Sequence, residues 1–589
     1  MRSTFFGLEI GRTGLTTAQY GLDVTGHNIA NLDTEGYTRQ RIVSTAYEPY
    51  ATIGKFAPAS QALVGEGVRV QILDQIRSAY LDRRFRTESN EFAYWETRSQ
   101  RLTYIQSFFD NVNEKTSINY SMAEFFRAMT IIAEDPVAGA PRTLMQTAAM
   151  DLVQQINMMY DGLLDLQKLE NKAVNTKVDE INRMAEDLVE LNKLIYVHEI
   201  TGLIANDLRD KRNLLLDELS RFVDIDYEEY PDEFGHSMMR VKVTGESLVD
   251  HDYRCKLVVG EITNPLEGGD PILVPYWEYR MDILIPRPPE GSSQAVIDAY
   301  RAAVQDALAA DWAEERRSLA LDMARLNGGE LKAHVDMRDG VGGGVDSTKK
   351  GIPYYIEMLN NLARALVVEI NTVHASGWSD NPEYSRTGIL FFDDLGVGEI
   401  IYYNADGDPF IPAGPDDPAI ASAVYYIDMD DPASQDALRG ITAKNLKLSQ
   451  DIIDSAYNIA ASSTPIGRPG DPEELQRGNN VNIKKLYDLF RKTGITMLGA
   501  EIGSFDDYGT KLRFDVGTTL YTANQALETS RILTLSALNQ KTAIAGVSLD
   551  EEMVGLVRYN HAYNGAARVI TQMDDALDRL INGTGRVGL

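Results

Sequence analysis

The chain has 589 residues, with 57 basic and 87 acidic side chains giving a formal net charge of −30, and a single cysteine, Cys255. This length supports several domains, each with its own core, and one cysteine excludes an intrachain disulfide, a CxxC redox pair and a cysteine zinc cluster. The acid excess argues against nucleic acid and anionic membranes as partners, and fits either a soluble protein kept monodisperse by self-repulsion or one with apolar assembly contacts and an acidic outer surface.

In the opening segment Leu8, Leu15, Leu22 and Ile29 recur every seven residues, which predicts a helix with a coiled-coil seam. Gly7, Gly14 and Gly21 repeat at the same spacing beside it. The helix runs into GHNIANLDTEGYTRQ at residues 26–40, where Asn28 and Asn31 are expected to end it and Gly36 to allow a positive φ in the turn. Arg39 and Arg41, flanking Gln40 near Tyr37, form a basic spot, either paired with carboxylates of an adjacent subunit or solvated on a strand. The first 30 residues carry Arg2 and Arg12 but lack the compact apolar run and cleavage site of a secretory signal, and no stretch of about 18 to 20 apolar residues occurs.

Helical patterns dominate from about Thr87 to Val223, broken at Pro136 and Pro141. Between Pro141 and about Glu199, Leu152, Ile156, Met159, Leu163, Leu166, Ile181, Met184, Leu188 and Leu191 keep helical spacing, predicting one very long helix or two nearly coaxial ones. A shorter helix follows, with Asn206 as its cap. Around Asp224 the pattern changes to short alternating runs, such as Arg240 to Thr244 and Arg254 to Val259, read as strands of an inserted β domain. An alanine-rich helix is expected from Ser293 to about Leu326, a glycine linker at Gly340 to Gly344, and a helix at Tyr354 to His374. A second insertion, rich in Asp, Pro and Tyr, precedes helices that resume at Asn482.

The final helix is predicted from Leu549 to Asn582, with Ser548 and Glu551 as a capping box and Gly583 as its stop. Leu549, Leu556, Tyr563, Ile570 and Leu577 form its seven-residue ladder, with Tyr559, Ala566, Met573 and Leu580 three positions later in each heptad. The two terminal seams are natural partners.

The fold class expected is therefore multidomain and mainly α, with inserted β-rich domains nested in discontinuous helical ones. Residues 1–35 with 547–589 make a coiled-coil-like inner domain of terminal helices. Residues 36–223, 345–387 and 475–546 make a long-helix domain, 224–344 an inserted β-rich domain with an added helix, and 388–474 a second insertion. Gly7, Gly11, Gly14, Gly21 and Gly26 each cost about 0.8 to 1 kcal/mol relative to alanine, so the first helix carries a penalty of roughly 4 to 5 kcal/mol. Two readings follow: the glycines permit close packing on a neighbouring helix, or both ends are disordered in the free subunit and order when copies pack.

No chemistry is signalled. The seven histidines show no HExxH or His-x-His spacing, and NADGD at 404–408 lacks the further ligands of a calcium loop and reads as a hairpin turn. Gly340 to Gly344 with Lys349 and Lys350 does not have phosphate-loop spacing. No catalytic, cofactor-binding or metal residue is assigned, and no cofactor is expected.

The string GHNIANLDTEGYTRQ resembles the N-terminal signature of the bacterial flagellar axial proteins, and SLDEEMVGLVRYNHAYNGAARVITQMDDALDRLI at 548–581 resembles their C-terminal helix. Thr38-Arg39-Gln40, the segment ANDLRDKRNLLLDELSRFVDI at 205–225 and GGELKAHVDMRDG at 328–340 are similar to the hook-associated branch of that family. The resemblance implies a structural subunit joining hook to filament, exported unfolded through the flagellar type III apparatus, transiently cytoplasmic and then extracellular. Implied partners are identical subunits in a ring, the hook protein, a second junction protein on the flagellin side of the filament, the filament cap and a cytoplasmic export chaperone on the C-terminal helix. The family motif residues are Asn28, Ile29, Ala30, Asn31, Gly36, Tyr37, Arg39 and Gln40, and the two Leu-rich ladders are the expected assembly interface. Alternatives are another axial subunit of hook or rod, or an enzyme housed in the insertions.

Overall fold

A computed structural model describes the chain apart from residues 1–4, 48–64, 66, 110–116, 203, 290, 314–316, 343–348, 382–384, 415–416, 418, 467–477 and 584–589. Arg2, and Gly343 and Gly344 of the expected linker, lie outside the described residues. The N-terminal part comprises α1 (Phe6–Ala30), β1 (Gln40–Ala46), β2 (Val68–Gln75), α2 (Ala79–Phe109), α3 (Ile118–Glu134), α4 (Gly139–Glu199) and α5 (Asn206–Phe222). Next come β3 (Ile225–Pro231), β4 (Ser237–Val243), β5 (Glu246–Asp250), β6 (Tyr253–Arg254), β7 (Leu257–Ile262), β8 (Ile272–Trp277), α6 (Glu278–Leu284), α7 (Gln294–Ala313), α8 (Glu330–Asp339) and α9 (Ile352–Ala375). The remainder is β9 (Glu399–Tyr403), β10 (Pro409–Phe410), β11 (Ser422–Tyr426), α10 (Pro432–Arg439), α11 (Gln450–Asp454), α12 (Val481–Asp488), β12 (Ile495–Met497), β13 (Ala500–Gly503), α13 (Phe505–Ala545) and α14 (Leu549–Gly583). The fold is mainly α with several small sheets.

The periodicity after Pro141 resolves into one continuous helix of 61 residues, α4, about 90 Å long at 1.5 Å per residue. It is the spine of two cores. Its first half, with Leu152, Ile156 and Leu163, packs with Phe125 and Phe126 of α3, Tyr355 and Leu359 of α9, and Leu512 of α13. Its second half, with Val178, Ile181 and Leu188, packs with Leu216 and Leu219 of α5, Val241 and Val243 of β4, and Trp277. A smaller cluster joins β7 and β8 to Val304 and Leu308 of α7. Ile389, Phe391, Phe392, Leu438 and Ile441 belong to the large core, so that part of the second insertion is anchored in the helical body.

Strands β3 to β6 form an antiparallel meander in chain order, β7 pairs with β8, and β9 lies between β10 and β11. NADGD joins β9 to β10 as a turn: Asn404 Oδ1 accepts from the Asp406 and Asp408 amides at 3.0 and 2.9 Å, and Gly407 has φ +86°. Strands β1 and β2 pair antiparallel, Gln40 opposite Gln75 and Ala46 opposite Val68, which puts Arg41 on a strand.

Among the described residues no helix is long and apolar enough to cross a membrane, and no group of three or more His, Cys, Asp or Glu is placed to hold a metal ion. His374 lies wholly buried in the large core, its Nδ1 2.7 Å from the Ile389 carbonyl and its Nε2 accepting from the Ala460 amide at 2.9 Å. Burial lowers its pKa from 6.5 to about 4, so it packs as a neutral ring. Burial likewise pushes the half-buried Cys255 thiol up, away from a reactive thiolate.

Candidate functional site

The two terminal helices pack against each other antiparallel, and the line of contact differs from the Leu-rich ladders. Along α1 it runs through Gly7, Gly11, Gly14, Ala18, Gly21, Thr25 and Asn28, alternating steps of four and three that define one face of a helix. A Cβ built on Gly7 would lie 2.6 Å from Met573 Sδ, one on Gly11 2.7 Å from Ile570 Cγ1, one on Gly14 3.6 Å from Ala566 Cβ, and one on Gly21 would run into the Tyr559 ring. Thr25 faces Gly555, and Asn28 bonds Glu552. The glycines let the two backbones approach until large α14 side chains fill the space that Cβ atoms would need.

Leu8, Leu15, Leu22 and Ile29 sit one residue round from that line, half-buried on its flank. On α14, Ile570 meets Gly11, while Leu556, Tyr563 and Leu577 are half-buried and Leu549 is exposed. Tyr559, Ala566 and Met573, the secondary ladder, carry the contact. The correction has a physical cause: a scale that ranks leucine above glycine marks the stripe about 100° away from the face where glycine permits closest approach. Met553, Val554, Val557, Val569, Leu580 and Ile581 of α14 remain exposed. So do Phe514, Tyr521, Ile532, Leu535 and Leu538 along α13, which packs on α2.

At the C-terminal end of α1 the motif residues build a polar joint. Asn28 is buried and fully engaged: Nδ2 donates to the Gln40 carbonyl at 2.9 Å and to Glu552 Oε2 at 3.1 Å. Its Oδ1 accepts from the Tyr37 hydroxyl at 2.8 Å and the Gln40 amide at 3.0 Å. Asn31 closes the helix by donating to the His27 carbonyl at 3.0 Å, next to the exposed Ala30. Gly36 takes φ +77°, and a Cβ there would come within 3.1 Å of Leu214 Cβ.

Arg39 reaches α14 of its own chain, with Nε 2.7 Å from Glu552 Oε1 and a further ion pair to Glu551. Its burial disfavours the charge, but the two carboxylates outweigh that and hold its pKa above the ordinary arginine value. Arg41 pairs with Asp74 at 2.9 Å across the β1–β2 hairpin. Both basic residues therefore have intrachain partners. Glu551, expected in a capping box, is engaged by Arg39.

The joint also collects α5. Gln40 Nε2 donates to Asp207 Oδ1 at 3.0 Å, Asn206 Nδ2 donates to Gln40 Oε1 at 3.3 Å, and the Thr38 amide donates to Asp210 Oδ2 at 2.9 Å. Asn206 thus reaches across to β1 and β2 instead of capping its own helix. Burial, with Asp207, Asp210 and Glu552 nearby, raises the Tyr37 pKa well above the usual phenol range, so its hydroxyl stays a donor to Asn28. Burial also raises Asp210, although the Thr38 bonds oppose it. Residues 26–40 are in direct contact with both of the other family-like segments, 205–225 and 548–581.

Three families of known proteins match separate stretches of the chain. The flagella basal body rod protein family matches residues 8–38, and the flagellar basal body rod FlgEFG protein C-terminal family matches 541–583. The flagellar hook-associated protein FlgK helical domain matches 102–273. Both ends and the helical body thus each resemble part of a bacterial flagellar protein. The chain is similar to flagellar hook-associated protein 1 along nearly its whole length. It is 26% identical to the protein of that name from Bacillus subtilis, with 99% of each chain covered. It is 24% identical to that of Escherichia coli, with 97% of this chain and 98% of the relative covered. The structure of the flagellar hook junction protein FlgK from Burkholderia pseudomallei has the same fold, with a TM-score of 0.52, 12% identity, and coverage of 79% of this chain and 100% of that one. These relatives are structural flagellar proteins.

Proposed function

We propose that this protein is the structural subunit that joins hook to filament in a bacterial flagellum. The observation that carries the reading is the similarity to hook-associated protein 1 along nearly the whole chain, both ends included. Flagellar location follows, and the working state is extracellular after a transient cytoplasmic stage. The partners are identical subunits in a ring, the hook protein, a second junction protein with the flagellin side beyond it, the filament cap during assembly, and an export chaperone on α14. Export runs through the flagellar type III apparatus, and no catalytic role is assigned to the insertions.

The assembly surface in this reading is the flank of the α1–α14 pair: Leu8, Leu15, Leu22 and Ile29 with Leu549, Leu556, Tyr563, Ile570 and Leu577. Contiguous exposed apolar patches mark interaction sites, and the exposed residues of α13 and α14 extend this one. The working division is a coiled-coil-like inner domain of residues 1–35 and 547–589, a long-helix domain of 36–223, 345–387 and 475–546, and insertions at 224–344 and 388–474. The apolar clusters run across these boundaries: α4 and α5 share one with β4 and β5, the second insertion shares the large core, and β7, β8 and α7 form their own. Deleting the gene should leave hooks without filaments and flagellin monomer in the medium, seen by electron microscopy and immunoblotting; normal filaments would refute the assignment, and absent hooks would favour a hook or rod subunit.

A further inference from the structure

The contact between the terminal helices repeats too well to define itself. Gly7, Gly14 and Gly21 recur every seven residues, as do Tyr559, Ala566 and Met573 opposite them. Displacing one helix by a heptad therefore again sets that ladder over glycines, with Tyr559 over Gly14 and Ala566 over Gly7. Space-filling alone does not select one register, a degeneracy that repeating coiled-coil seams share and that a single buried polar layer resolves.

One layer does not repeat. Asn28 and Glu552 stand at the joint end of the seam, 1% and 4% exposed. Glu552 receives Asn28 Nδ2 at 3.1 Å on one oxygen and Arg39 Nε at 2.7 Å on the other. In the displaced register Glu552 would lie against Gly21, which has no side-chain donor, and its carboxylate would be buried without a counter-ion.

We infer that Glu552, with Asn28 and Arg39, is a register key: these positioning residues select one of several sterically equivalent alignments of α1 on α14. The key also decides which flank residues of α1 and α14 form one surface, a consequence that rests on the junction reading. With the key in place, Leu22 and Ile29 are fixed relative to Leu549 and Leu556; one heptad of slip moves α1 by about 10 Å along α14.

The test uses the purified full chain with Cys255→Ser. In one form, Gly14→Cys and Ala566→Cys report the native alignment by disulfide formation, since a Cβ at Gly14 lies 3.6 Å from Ala566 Cβ. In another, spin labels on exposed Thr16→Cys and Arg579→Cys report the axial offset by pulsed electron resonance. The unmodified key should give efficient cross-linking and a single distance. Glu552→Ala and Asn28→Ala should lower cross-linking at least threefold and add a second distance about 10 Å longer, whereas Glu552→Gln, which keeps one oxygen for Asn28 and leaves Arg39 its pair with Glu551, should keep the native distance as the main one. The inference is overturned if both alanine variants keep the native distance alone, or if cross-linking is lost into a broad spread without a second distance, which would make the layer a mere clamp. These readouts come from isolated protein, so they stand or fall separately from the junction assignment, which the deletion phenotype tests.

Discussion

An alanine scan of the α1 glycines separates helix propensity from packing. Glycine to alanine inside a helix gains about 0.8 to 1 kcal/mol. A Cβ on Gly26 meets no atom within 4 Å, and one on Gly14 makes an ordinary contact at 3.6 Å, so both substitutions should keep the gain. A Cβ on Gly11 would press on Ile570 Cγ1 at 2.7 Å, a stiff branched side chain, and one on Gly21 would enter the Tyr559 ring. Overpacking of this kind costs about 1 to 3 kcal/mol. Gly11→Ala and Gly21→Ala should therefore fall below Gly26→Ala by about 1 to 3 kcal/mol, or roughly 5- to 150-fold in the opening equilibrium. Gly7→Ala should be milder than either, because the tip of Met573 is flexible. Hydrogen exchange of α1 amides in the full chain reads that local equilibrium directly. If all five variants gain protection equally, propensity governs the helix and the glycine contact line is wrong. Fast exchange throughout α1 and α14 in the free subunit, with protection appearing on polymerisation, would instead support ordering on assembly.

Three further outcomes are expected. His374 has a folded pKa of about 4 against 6.5 ordinarily, so the unfolded chain binds the extra proton first and stability falls as pH drops from about 6.5 towards 4, by about 3 kcal/mol for this group. Urea titrations should show the advantage of wild type over His374→Gln shrinking across that window, and a constant gap would contradict the assignment. Gly36→Ala forces a Cβ into a positive-φ position against Leu214 and should cost about 1 to 2 kcal/mol, measured by denaturant midpoint. Arg39→Ala strands the buried Glu552 and should cost about 2 to 3 kcal/mol, less than a fully buried pair because Arg39 is a quarter exposed; exchange protection in the first turns of α14 is the measure.

What the sequence made legible follows the range of the forces involved. The 61 residues of α4 are set by local spacing, so that helix is readable along the chain. The β1–β2 hairpin escaped because its strands are separated in sequence and its exposed face carries Arg41, Ser44 and Thr45 without clean alternation. The joint escaped for a stronger reason. Arg39 and Glu552 are 513 residues apart, and Asn206 looks like a cap until β1 and β2 are placed beside it. The terminal contact was written in the sequence in the glycine repeat, but the leucine repeat one residue away drew the larger hydrophobic signal. Burial energy per side chain favours leucine, whereas the distance between two helix axes is set by the smallest residues between them. Along α1 these roles separate. The small residues of α1 set its close approach to α14, whose large side chains fill the space, and the α1 leucines lie beside that contact, half-buried.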